Sequence, residues 1–136
     1  MLVNDMEKYI IDFFKGMDLY NEEYFDKIDV IVVDKKYEDI KEFVGFYPDS
    51  FKMIVPKIKT IYDVLIWVHE YSHALFPEDD DEIFPNLMEA YFINKYISSN
   101  RIKNRIMKKT QNEIKECDDI EYNVAKRIKL SAISQF

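Results

Sequence analysis

Met6, Tyr9, Ile10, Phe13, Phe14 and Met17 recur at three- and four-residue steps, which places them on one face of a helix predicted over residues 5–18. Asn4 with Glu7 reads as its capping box, and Gly16 and Asp18 end the run. The short β-branched run Ile28-Asp29-Val30-Ile31-Val32-Val33 predicts a strand buried on both faces. Residues 35–42 suit a short helix. Two strand-like runs, residues 43–47 and 51–55, flank Pro48-Asp49-Ser50, where proline fits the second position of a type I turn and aspartate the third. They predict a hairpin, and Pro56, which cannot donate to a ladder, suits the end of an edge strand.

Thr60 and Asp63 form a second capping box, opening a helix that Pro77 stops by residue 76. Ile61, Leu65, Val68, Ser72 and Leu75 make one face of it, and Tyr62, Ile66, His69 and His73 the adjoining one. Apolar residues cover most of the circumference, the pattern of a helix buried in the middle of a domain. An acidic stretch, Glu78-Asp79-Asp80-Asp81-Glu82, leads into a helix over residues 83–98, followed by helices over 101–116 and 119–134. The order of helix, strands, motif helix and further helices predicts an α+β plan, read as one domain over residues 1–136.

Composition agrees with that plan. With 48% hydrophobic and 15% aromatic residues, two glycines and four prolines, the chain reads as a helix-rich globule without linker or repeat. A single cysteine, Cys117, excludes an intramolecular disulfide and a cysteine-rich metal cluster. Neither a leader-like amino terminus nor an apolar run of the roughly 18–20 residues that a membrane span requires is visible, so a cytoplasmic protein without a membrane partner is expected. The net charge of −7 argues against general nucleic-acid binding. Residues 101–136 nevertheless hold nine Lys or Arg against five Asp or Glu. Solvated helix faces, some paired with the acidic part, account for this most simply, and a partner-binding surface is the sharper alternative.

His69 and His73 are the only histidines, and they stand four apart with Glu70 between them. On a helix that spacing puts both imidazoles on one face, where they can converge on a zinc ion while the intervening carboxylate reaches the water that zinc activates. Two histidines on so apolar a helix need a reason, and a metal is the economical one. A catalytic zinc takes three protein ligands. Without another histidine, the third is a carboxylate, Cys117 or nothing. Glu89 is the first choice, because Leu87, Met88, Ala90, Tyr91, Phe92 and Ile93 surround it and an acid there is costly unless paired or metal-bound. Asp79, ten residues after His69, is the second, and Glu82 the third.

His69-Glu70-Tyr71-Ser72-His73-Ala74-Leu75, on a capped helix preceded by a hairpin, resembles the core of the zincin metallopeptidases. The later Pro85-Asn86-Leu87-Met88-Glu89-Ala90-Tyr91 resembles the glutamate-bearing helix of their gluzincin branch, the likeness covering residues 43–98. The resemblance implies a zinc peptidase with His69, His73 and Glu89 as ligands and Glu70 as general base, acting on a peptide or protein substrate. It also implies a substrate strand lying along the edge strand, here residues 51–55. Tyr91, Tyr96 and Tyr47 are candidate donors to the developing oxyanion. Two alternatives stand beside this expectation: a zincin-like partner-binding protein that cleaves nothing, and a metal hydrolase of non-peptide substrates.

Overall fold

Residues 6–17, 20–78 and 81–134 are described by the computed structural model, and among them lie seven helices and one three-stranded sheet, an α+β architecture as the sequence pattern predicts. They fall into two compact units that divide at residues 79–80. Asn4 and Asp79 lie outside the described residues. None of the described helices is long and apolar enough to cross a membrane.

The first unit runs α1 (Met6–Lys15), α2 (Glu22–Asp26), β1 (Asp29–Val33), α3 (Tyr37–Ile40), β2 (Gly45–Tyr47), β3 (Lys52–Pro56) and α4 (Ile61–Leu75). The helix α2 has no counterpart in the sequence reading. At five residues it is too short to show a period; its local signal is Asn21, whose side chain accepts the Tyr24 N–H at 3.1 Å ahead of Glu22 and Glu23.

The hairpin forms as predicted, with Tyr47 opposite Lys52 and Gly45 opposite Ile54. Its loop is closed by the Phe51 N–H on the Pro48 carbonyl at 3.4 Å, and Phe51 adopts a left-handed φ of 54°. The aromatic packing of Phe51 offsets that strain, its ring meeting those of Tyr24 at 5.1 Å and Phe46 at 6.5 Å.

The sheet order is β1-β3-β2, with β1 parallel to β3 and β2 antiparallel to it. This corrects three expectations. β3 is the central strand, so residues 51–55 are paired on both sides and offer no edge to a substrate. Pro56 therefore ends a central strand, opposite Val33. The strand β1 is an edge, with Ile31 36% and Val32 45% exposed, and is not buried on both faces. A continuous β-branched run reports strand propensity, but which faces are covered depends on neighbours that a three-stranded sheet does not supply.

Met53 and Val55 of β3 and Val64 and Val68 of α4 are all completely buried where helix packs on strand. Each such side chain contributes about 1.5–3 kcal/mol relative to exposure. Trp67 Nε1 donates to the Pro56 carbonyl at 2.7 Å and ties the middle of α4 to the end of β3. An aromatic group closes the other side of the helix, the Tyr71 ring standing 5.6 Å from Phe14 and 5.9 Å from Phe25.

The entry of α4 is fixed by the predicted capping box. Asp63 Oδ2 accepts the N–H groups of Lys59 and Thr60, both at 3.0 Å, while Thr60 Oγ1 accepts the Asp63 N–H at 3.4 Å. Lys59 also reaches Asp34 at 2.6 Å, and this hydrogen bond, with the charges of Lys59 and Lys57, holds the exposed Asp34 carboxyl below its usual range. Asp63→Ala removes the accepting carboxylate and is expected to lower stability by about 1 kcal/mol, read as a shift in the urea midpoint at unchanged slope.

The second unit is a set of three helices: α5 (Ile83–Tyr96), α6 (Asn100–Glu116) and α7 (Ile120–Ser134), with α7 packed on both others. Ala90, Phe92, Ile93, Ile106 and Ala125 are its most buried apolar residues among those described. The loop before α5 is held by Asp81, whose Oδ1 accepts the Ile83 N–H at 2.8 Å.

Candidate metal centre

No residue of α4 is exposed: each from Ile61 to Leu75 is buried or half-buried. That environment is where the sequence sets its two imidazoles. The rings of His69 and His73 meet edge to face with centroids 5.0 Å apart, and a ring nitrogen of each lies within 4.8 Å of the other's. Both are half-buried, so a small ion can reach them, whereas Glu70, one step round the helix, is only 8% exposed. The other flank of the motif is committed to structure. Ser72 Oγ donates back to the Val68 carbonyl at 2.7 Å. Tyr71 is packed among rings, and burial, then the charges of Glu7 and Tyr20, push its hydroxyl up to about 12.

The first unit thus brings His69, Glu70 and His73 onto one helix segment, while Glu82 and Glu89 belong to the second. Glu82 is half-buried and directly precedes α5. Its carbonyl accepts from Asn86 N at 3.3 Å and Asn86 Nδ2 at 2.8 Å, but its carboxylate does not cap the helix. Glu89 sits in the middle of α5, 5% exposed, and its Oε1 accepts a hydrogen bond from Lys129 Nζ of α7 at 3.0 Å. The side chains are only 6% and 5% exposed. The cost that sequence assigns to an acid among apolar neighbours is therefore met within the second unit by a lysine.

Beside that pair lies a second one. Lys126 Nζ approaches Glu113 Oε2 at 3.6 Å and the Tyr122 ring centroid at 5.1 Å, and the Tyr122 hydroxyl donates to the same Glu113 oxygen at 3.1 Å. Burial acts to lower the Lys126 pKa, yet the charges of Glu89 and Glu113 and the contact with Tyr122 outweigh it, leaving the ammonium above its ordinary value. Burial, opposed by Lys126 and aided by Glu113, raises the Tyr122 hydroxyl to about 12. Lys126 and Lys129, 9% and 4% exposed, are paired cations and do not belong to a solvated face. Their signal is positional: they share the buried side of α7 with Ala125, Ala132 and Ile133.

The tyrosines singled out as oxyanion donors are differently placed. Tyr47 donates its hydroxyl to the Phe43 carbonyl at 2.7 Å. The Tyr96 ring stands tilted against that of Phe92, centroids 4.8 Å apart, and Tyr91 is 44% exposed on α5. Cys117 is half-buried at the end of α6.

No protein-family model, curated protein or solved structure matches this chain.

Proposed function

We propose that this chain is a zincin-like, zinc-dependent peptidase of the cytoplasm, acting on a peptide or protein substrate. The observation that carries the reading is the pair of half-buried imidazoles, rings 5.0 Å apart on a helix with no exposed residue, with Glu70 between them in sequence. A donor set of two neutral imidazoles and a carboxylate is the chemistry that catalytic zinc takes. The engagement of Glu89 with Lys129 holds α5 on α7 within the second unit.

When bound, zinc supplies a Lewis acid and an acidified water. His69 and His73 serve as ligands only when neutral, so zinc uptake and turnover fall on acidification. The Glu70 carboxylate accepts a proton from the attacking water and returns it to the departing amine nitrogen. Its burial excludes bulk solvent from that transfer.

Purification without chelator followed by elemental analysis tests the reading. One zinc per chain is expected, lost in a His69→Ala/His73→Ala variant of unchanged helix content. A native chain carrying no more zinc than that variant overturns the proposal. A peptide-library screen then separates peptidase from the alternatives: zinc without cleavage of any peptide rejects the peptidase and favours a partner-binding role or a non-peptide substrate.

A further inference from the structure

The solvent face of α6 is mostly cations and amides, with Ile102 exposed near its start and Glu116 at its end. Arg101, Arg105, Lys108, Asn112 and Lys115 follow one another at four- and three-residue steps, so they stand in one row along the helix, and all are exposed. Ile106 and Thr110, 1% exposed, mark the opposite side. Asn104 and Gln111 flank the row and are exposed as well. No Asp or Glu occurs between Asn100 and Asn112. Arg101, Arg105, Lys108 and Lys115 form no ion pair with any described residue.

Such a row works against the isolated helix. Arg101 with Arg105, and Arg105 with Lys109, are like-charged pairs at i,i+4, and cations in the first turn face the positive end of the helix dipole. A polyanion laid along the row relieves both. We propose that this face of α6 binds duplex DNA, the cations resting on phosphates and the amides turned to base edges.

The dimensions and chemistry agree. The row spans about 21 Å at 1.5 Å per residue, and a helix about 10–12 Å across enters a major groove about 12 Å wide. Arg and Lys are phosphate ligands, and Asn and Gln read base edges there. The row contains no apolar residue, which a helix inserted in a membrane surface needs. Ile102, 37% exposed beside it, is a single aliphatic side chain and not the cluster of aromatic or aliphatic anchors on which protein interfaces depend. The net charge of −7 speaks against general nucleic-acid affinity, but charges farther than about 8–10 Å are largely screened at physiological salt, so the local row governs contact. The inference shares no residue with the proposed zinc site and stands independently of it.

Fluorescence anisotropy of a labelled mixed-sequence duplex of about 20 base pairs, titrated with the full chain between about 50 and 200 mM salt, is the test. Binding is expected to weaken with salt at a log–log slope near −4, about −0.9 for each of the four cations. The variant Arg101→Gln/Arg105→Gln/Lys108→Gln/Lys115→Gln is expected to bind at least ~10-fold more weakly with helix content retained. Should that variant lose helix content, Arg105→Gln/Lys108→Gln takes its place, with the slope reduced by about two. The proposal fails if the native chain does not bind at the lowest salt, or if the folded variant binds as tightly. It fails equally if polyglutamate or anionic vesicles of matched charge displace the chain as well as unlabelled duplex does, which would assign the row to an acidic protein or a membrane surface.

Discussion

Glu70→Gln is expected to lower peptide turnover by about 10²–10⁴-fold, the usual contribution of a positioned general base, while zinc stays bound at one per chain. Glutamine matches the volume and hydrogen-bonding reach of glutamate, so a side chain only 8% exposed is replaced without opening a cavity. What is lost is the basic carboxylate. Because the proton moves only as the water attacks, the defect should fall on kcat, with KM little changed. His69→Ala behaves differently, since removing an imidazole removes the metal and the activity together. Elemental analysis and steady-state kinetics on both variants separate the roles. Turnover retained in a zinc-loaded Glu70→Gln chain would remove Glu70 from the chemistry, whatever the metal does.

These roles were readable because the features that define them are local. The motif helix carries its start in Thr60 and Asp63, its stop before Pro77, and its histidine pair at i,i+4, all within 18 residues of chain. The observed α4, Ile61–Leu75, falls inside the predicted limits for that reason. Sheet order is a different kind of information. Asp29 pairs with Lys52 across α3 and the hairpin, and nothing in the run Ile28 to Val33 states that β3 will be claimed on both sides while β1 keeps an open edge. Periodicity found the hairpin but misplaced it in the sheet, and with it the strand available to a substrate. Of the two edges, β1 and β2, each still has one unpaired side among the described strands.

The carboxylates were harder still. An acid buried at Glu89 was visible as an anomaly, and two explanations, pairing or a metal, answered it equally well. The residue that pairs with it, Lys129, lies forty positions later on another helix. Composition allowed that some cations of residues 101–136 pair with the acidic part, but could not say which ones. Lys126 and Lys129 turn inward on α7, while the row from Arg101 to Lys115 turns outward on α6. A lysine sharing a helix face with alanines and isoleucine is the pattern that separates the first group from the second.

Lys129→Ala is expected to be the most destabilising single change in the helical unit, by about 3–5 kcal/mol, because it leaves Glu89 charged, buried and stripped of its closest cation. The pair itself need not be worth that much. Two groups this deeply buried surrender hydration that their attraction only partly returns, so most of the loss in the single variant is the penalty of burying the Glu89 carboxylate without the lysine at 3.0 Å. Glu89→Leu/Lys129→Met, which removes both charges and keeps the volume, should therefore recover most of the stability in urea titrations followed by helix signal. Lys126 already acts on Glu89 through its charge, and a single variant falling by less than about 1 kcal/mol would show that it takes over the partnership. Zinc titration of the double variant decides the ligand. If Glu89 is not a ligand, affinity is unchanged in a chain that has no carboxylate at position 89. A loss of stoichiometric zinc in that folded chain would instead make Glu89 a ligand, and Lys129 the residue that occupies it when the metal is absent.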